Sequence, residues 1–215
     1  LILKICAKCI SDGIHGGKSI DSKEKSNRIL ALTEYLLQQN PSDILVWWYR
    51  KRILESFDEV TIEQEFQFTN KIQRNALKSY QAWEHRKWIF VHFHYEPTVP
   101  YLETIRVLID QDIRNFHAWS HLIWLSSQYI SFRSHIFDLT TMYINREKRN
   151  ASAWNARFTI FKLLFTDLSA YQNDIEFAFG FIGDNGGNEA SCSYIRGIAY
   201  EHEELVPFCI EKVNR

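Results

Sequence analysis

Proline is scarce in this 215-residue chain: there are four, and two of them, Pro97 and Pro100, fall together in one loop stretch. A residue that breaks helix interiors is nearly absent, which favours helices. The four cysteines do not form a disulfide framework. Cys6 and Cys9 make a single CAKC, while Cys192 and Cys209 lie far away in helical text. A zinc site needs four ligands, and no second CxxC or histidine pair follows at finger spacing. Structural or free thiols are therefore expected in preference to metal, and reduced thiols suit a cytoplasmic protein. No charge excess exists either: the net charge is −1, so no global field argues for nucleic acid or an anionic membrane as partner. No apolar run approaches the roughly 20 residues of a membrane span, so stable membrane insertion is not expected. The opening LILKICAKCI is apolar but short, without a basic leader or cleavage pattern. Residues 1–22 are an N-terminal segment of uncertain role. Also missing are a serine or cysteine nucleophile beside a histidine, a phosphate-binding glycine loop and a paired-carboxylate arrangement. By itself the chain does not read as a complete enzyme.

What it has instead is tryptophan, seven in all, and a phrase repeated around it. Trp47, Trp83, Trp119 and Trp154 stand at intervals of 36, 36 and 35, and Cys192 follows 38 positions on where a fifth is expected. A period in the thirties marks a solenoid of helix pairs. Four residues before each anchor stand Asp43, Ser79, Asn115, Asn150 and Asn188, all favoured helix N-caps. Three residues after it come Arg50, Arg86 and Arg157, one turn away on the same face, with Leu122 and Ile195 breaking that pattern. Upstream of the capped helices, stripes such as Ile29, Leu32, Leu36 and Leu102, Ile105, Leu108 predict the other helix of each pair. The expected fold is all-α: a right-handed α-α superhelix, a solenoid of about five helical hairpin repeats in one domain over 1–215. The repeats fall near 24–56, 57–93, 98–130, 132–165 and 168–203, and the tryptophans serve packing.

The variable positions carry the functional signal. Just ahead of the caps the series runs Ser42, Lys78, Arg114, Arg149, Gly187, three consecutive cations at helix N-termini. Such ends favour anions. An electropositive ridge and an ordinary solvated edge are both open readings. After the caps come Tyr80–Gln81 and Phe116–His117, aromatic then polar, suited to a ligand that is partly apolar and partly charged. His92 and His94, two apart on a predicted helix, point apart and suggest no metal site.

These phrases resemble those of the protein prenyltransferase α-subunit family, whose repeats have the form polar-x-x-x-Trp-x-x-Arg. The likeness runs from about Lys23 to Gly197. SNRILALTEYLLQQNPSDILVWWYRKRIL is similar to the first repeat, and LIDQDIRNFHAW and NEASCSYIRGI to the third and fifth repeats of the CaaX-type subunit. That subunit is shared by farnesyltransferase and type I geranylgeranyltransferase. Gln81 matches the CaaX type, whereas the Rab type has glycine there. The resemblance implies a crescent wrapped on a barrel-shaped β subunit. That partner would hold the catalytic zinc, with magnesium as a second candidate, neither bound by this chain. It also implies an isoprenoid diphosphate and CaaX-motif proteins as substrates.

On the same resemblance, Lys78 reaches the diphosphate as the catalytic cation, Tyr80 lines the shared site, and Gln81 binds the peptide's C-terminal carboxylate. Asn115, Phe116 and His117 correspond to an Asn-Tyr-His segment, with the phenolic hydroxyl missing. Cys192 and Leu122 depart from the pattern and the chain stops soon after repeat five, so the subunit reads as reduced. A Rab-type subunit and a non-catalytic interaction scaffold are the alternatives. Isoprenoid length is not readable from this chain.

Overall fold

The computed structural model describes residues 22–56, 61–183 and 187–214. Cys6, Cys9 and most of the N-terminal segment lie outside the described residues. The all-α class of helical hairpin repeats expected from the sequence is what forms. Up to Tyr95 the chain makes one compact unit and from Glu96 a second. The first unit holds α1 (Ser22–Gln39) and α2 (Ile44–Ser56), then α3 (Ile62–Asn75) and α4 (Tyr80–His92). The second holds α5 (Val99–Gln111) with α6 (Phe116–Gln128), α7 (Arg133–Arg146) with α8 (Ala151–Leu164), and α9 (Leu168–Phe179) with α10 (Glu189–Glu201). A further helix, α11 (Val206–Val213), packs on α9 and α10 and was not legible in the sequence.

Each helix starts where its side chains compel it. Thr61 opens α3 with a capping box, its hydroxyl accepting from the Gln64 amide while Gln64 reaches back to the Thr61 N–H. Thr98 caps α5, and Pro100 falls inside its first turn and not in the loop, at a position whose amide has no helical partner. All five predicted caps of the second helices are found. Asp43 Oδ1 accepts from the amides of Leu45 and Val46 at 3.0 and 3.1 Å, and Ser79, Asn115, Asn150 and Asn188 do the same for α4, α6, α8 and α10. The stripe on α1 is one register off the prediction. Ile29, Thr33 and Leu37 are buried at i, i+4, i+8, and Leu36 packs beside them. On α5 the predicted Leu102, Ile105 and Leu108 are buried as expected.

The anchors are buried and more than packing. Each indole Nε1 donates to the backbone carbonyl six residues upstream: Trp47 to Pro41, Trp83 to Leu77, Trp119 to Ile113 and Trp154 to Lys148, all at 2.9 Å. The carbonyls of Pro41, Ile113 and Lys148 also take a bond from the cap of the next hairpin. Ser79 Oγ donates to Pro41 O at 2.8 Å, and the Asn150 and Asn188 amides donate to Ile113 O and Lys148 O, each at 2.8 Å. The carbonyl has two lone pairs, and one goes to each hairpin. A non-additive result follows. Trp119→Phe alone costs on the order of 1–2 kcal/mol, because Asn150 still satisfies Ile113 O. Added to Asn150→Ala, it costs more than the sum of the two single changes, by about 0.5 kcal/mol or more. Urea unfolding of the four proteins measures this, and strict additivity would refute the shared acceptor. In the fifth hairpin Cys192 takes the anchor position and lines an apolar cavity of about 340 Å³ with Phe179, Ile195 and Cys209.

Candidate functional site

Two helix starts carry the predicted residues, one in each unit. In the first, Ser79 is buried at 6% exposure and does two jobs: its hydroxyl oxygen accepts from the Ala82 amide at 3.4 Å, and its proton goes to Pro41 O. Ala82 and Trp83 behind it are buried in the core. The fixed residues thus clamp the turn, and the variable ones are left at the surface. Lys78 is exposed, Tyr80 is 57% exposed, and Gln81 is half-buried. The three are brought together within one turn of the α4 N-terminus, where unpaired amides and the helix dipole favour an anion.

In the second unit Asn115 is the buried cap of α6, with Oδ1 accepting from the amides of His117 at 3.0 Å and Ala118 at 3.3 Å. Phe116 is 68% exposed and stands edge-on to the half-buried His117, ring centroids 5.8 Å apart. The arrangement of aromatic then polar side chain repeats that of Tyr80–Gln81. The three cations of the basic series are not equivalent. Arg114 lies 3.9 Å from Glu147 in an exposed pair, worth about 0–1 kcal/mol. Arg149 donates to Gly187 O at 3.0 Å. For Arg114 the solvated-edge reading fits better than a free ridge, whereas Arg149 has no acidic partner among the described residues. The α4 helix ends at His92, so His94 is not helical and adopts a left-handed backbone with φ of 49°.

Sequence reasoning missed a set of buried polar clusters behind the helix starts. Arg50 makes a bidentate pair with Glu65, both N–O distances 2.7 Å, and also donates to Leu30 O and Thr33 Oγ1. His85 Nε2 meets the same carboxylate at 2.6 Å. The fully buried His85 ring is flanked by Trp47 and Trp88, at centroid distances of 4.7 and 5.3 Å. Burial would push the Glu65 carboxyl up, but the hydrogen bonds and charges of His85 and Arg50 outweigh it and hold it at about 2. Burial dominates for His85 and lowers its pKa despite the carboxylate. Its Nδ1 has no hydrogen-bond partner, as expected of a neutral imidazole donating through Nε2. In the second unit Arg157 grips Asp174 and donates to Thr141 Oγ1 at 2.7 Å, and the Tyr194 hydroxyl also donates to Asp174. The first cluster locks α4, whose start bears Lys78, Tyr80 and Gln81, and the second ties α8, α9 and α10 together. Among the described residues no three His, Cys, Asp or Glu side chains gather to hold a metal ion.

The family model of the protein prenyltransferase alpha subunit repeat matches residues 26–57, 62–93 and 102–129, so the Lys78 and Phe116 helix starts each lie inside a matched repeat. A geranylgeranyl transferase type-2 subunit alpha of Saccharomyces cerevisiae is 30% identical over 67% of this chain and 48% of its own length. A protein farnesyltransferase/geranylgeranyltransferase type-1 subunit alpha of Dictyostelium discoideum is 33% identical over 83% of this chain and 58% of its own. The chain thus spans about half the length of these relatives. Among solved structures, Candida albicans protein geranylgeranyltransferase-I complexed with GGPP superposes with a TM-score of 0.72 at 21% identity, over 91% of this chain and 65% of that one, a likeness of fold. With repeats of matching sequence on a matching fold, the chain belongs to the protein prenyltransferase alpha subunit repeat family.

Proposed function

We propose that this chain is the α subunit of a heterodimeric protein prenyltransferase in the cytoplasm. The enzyme moves a farnesyl or geranylgeranyl group from isoprenoid diphosphate to the cysteine thiol of a C-terminal CaaX motif. The observation that carries the reading is the Lys78–Gln81 helix start: an exposed cation, an exposed aromatic ring and an amide, set on a buried cap inside a matched repeat. In the reaction the substrate sulfur bonds to C1 of the isoprenoid as the C1–oxygen bond breaks and diphosphate leaves. Negative charge grows on the bridging oxygen, and a cation placed there stabilises the transition state more than the ground state. Lys78 supplies that cation, with the α4 N-terminus behind it. Tyr80 gives an apolar wall, and Gln81 donates to the peptide carboxylate. Phe116 offers an apolar face without a hydroxyl, His117 a polar edge, and Asn115 keeps both in place as the cap.

Zinc held by the companion β subunit, with magnesium as a second candidate, would make the thiol a thiolate. Gln81→Ala should weaken CaaX peptide binding roughly 10-fold or more, the loss of a hydrogen bond to a charged group, with isoprenoid binding intact. A titration showing the reverse would remove Gln81 from the peptide site.

The type-2 relative of Saccharomyces cerevisiae, at 30% identity, supports a second reading as a Rab-type subunit. Offering the reconstituted heterodimer a short CaaX peptide with each isoprenoid diphosphate decides between them. Turnover on the bare peptide supports the CaaX reading, and turnover only on an escorted Rab protein supports the second. No turnover on either leaves an interaction scaffold.

A further inference from the structure

Between the starts of α8 and α10 lies an open groove of about 470 Å³, within the ~300–1,000 Å³ range of ligand pockets. Its floor is aromatic: the half-buried Phe158 stands edge-on to Tyr194 at 6.0 Å, backed by the buried Trp154 and Tyr194 rings, whose centroids are 5.1 Å apart. The bond from the Tyr194 hydroxyl to Asp174 fixes that floor. The groove is open because the repeat puts small residues here. Ala151 stands at the register position of Tyr80 and Phe116, and Gly197 at that of Trp88 and Trp124. A Cβ on Gly197 would come within 3.2 Å of Phe158, so the ring packs onto the glycine.

One end of the groove is charged. Arg149 spends a single guanidinium N–H on Gly187 O, which steadies the fork, and its other donors have no acceptor among the described residues. Glu189, beside it, is ion-paired with Arg196 and accepts from Ser193 at 3.2 Å, so its charge is matched. Asn155 on the α8 wall is exposed, and its side-chain amide bonds to no described residue.

We propose that this groove docks a polypeptide segment carrying a large apolar side chain next to a single carboxylate. The apolar group lies on Phe158 and Gly197, the carboxylate pairs with the Arg149 fork, and Asn155 meets the segment's main chain. Charge matching selects one carboxylate over a diphosphate, because Arg149 is, among the described residues, the one cation lining the groove. The inference stands whether or not the chain acts in catalysis.

3-Phenylpropionate joins both groups in one small probe. Titrated into the full ¹⁵N-labelled chain, it should give saturable shifts at the Trp154 indole, the Asn155 side-chain amide and Gly197, with Kd in the ~0.1–10 mM range. Arg149→Gln, which keeps a donor for Gly187 O, weakens binding at least 10-fold, and Ser193→Leu, which fills the groove and leaves Arg149 intact, abolishes it. An acetylated, amidated peptide with Phe-Asp at its centre competes with the probe. Three results would overturn the proposal: equal binding of 3-phenylpropanamide, a response indifferent to Ser193→Leu, or failure of the peptide to compete. Displacement by geranylgeranyl diphosphate, weakened by the same two variants, would also overturn it by making the groove an isoprenoid site.

Discussion

In a heterodimer reconstituted with its β partner, Lys78→Ala lowers the single-turnover rate by roughly 10- to 1,000-fold, the scale of removing one electrostatic stabiliser of a transition state. Peptide affinity stays nearly unchanged. The reasoning is differential: charge on the bridging oxygen is largest at the transition state, so a cation there affects the barrier more than the binding steps. An ammonium on a flexible four-carbon stem can follow the diphosphate as it departs. Lys78 is exposed and precedes the cap, while Ser79, Ala82 and Trp83 do the holding. The variant should therefore unfold at the same urea concentration as the parent. An unchanged single-turnover rate would strip Lys78 of its role.

Glu65→Gln destabilises the chain by about 3–5 kcal/mol, the cost of leaving a buried charge without its partner. Arg50 is only 4% exposed and rests over the Phe68 ring at 3.5 Å, so water cannot replace the lost carboxylate. The paired replacement Arg50→Met with Glu65→Leu costs less than Glu65→Gln alone, because no charge is then left in the interior. Acid shows the same cluster. Glu65 stays ionised in the fold down to about pH 2, while the unfolded chain takes up that proton near 4.5. Its stabilisation, about 3 kcal/mol, is present above pH 4.5 and lost as pH falls toward 2. His85 acts in the same direction from a higher pH: the fold holds it neutral, so stability begins to fall below its ordinary value of 6.5. Urea midpoints measured from pH 7 to 3 should decline throughout, and His85→Gln should flatten the upper part. A profile rising on acidification would contradict the buried cluster.

The parts of the molecule governed by neighbours in sequence were legible. A short polar residue four before the anchor position, tryptophan in four hairpins and Cys192 in the fifth, caps a helix for local reasons, and all five such residues do so. What was hidden depends on partners farther along the chain. Leu122 looked like damage to the repeat, yet the register explains it. Counted fourteen residues back from the cap of the following hairpin, Arg50 corresponds to Glu65 and Arg157 to Asp174, but Leu122 corresponds to Ile136. At these positions the arginine is kept where a carboxylate awaits it, and leucine stands where the counterpart is the buried, apolar Ile136. Arg86 bonds to Gln73 and Asn70 within its own hairpin. The stripe on α1 was misplaced because Thr33 sits in the core, its hydroxyl both donating to Leu30 O and accepting from Arg50. Of the candidate site, the helix starts and their exposed side chains were readable from spacing. The tying of Arg149 to Gly187 was not, because those residues meet across 38 positions.

The carbonyls of Pro41, Ile113 and Lys148 carry a further consequence. Each accepts one bond from its own hairpin and a second from the hairpin that follows. At these three junctions the later hairpin completes the wiring of the earlier one, and folding within each unit acquires a direction. Trimming the last member harms the one before it beyond the loss of contact area, so melting should creep backward from a cut end in steps of one repeat.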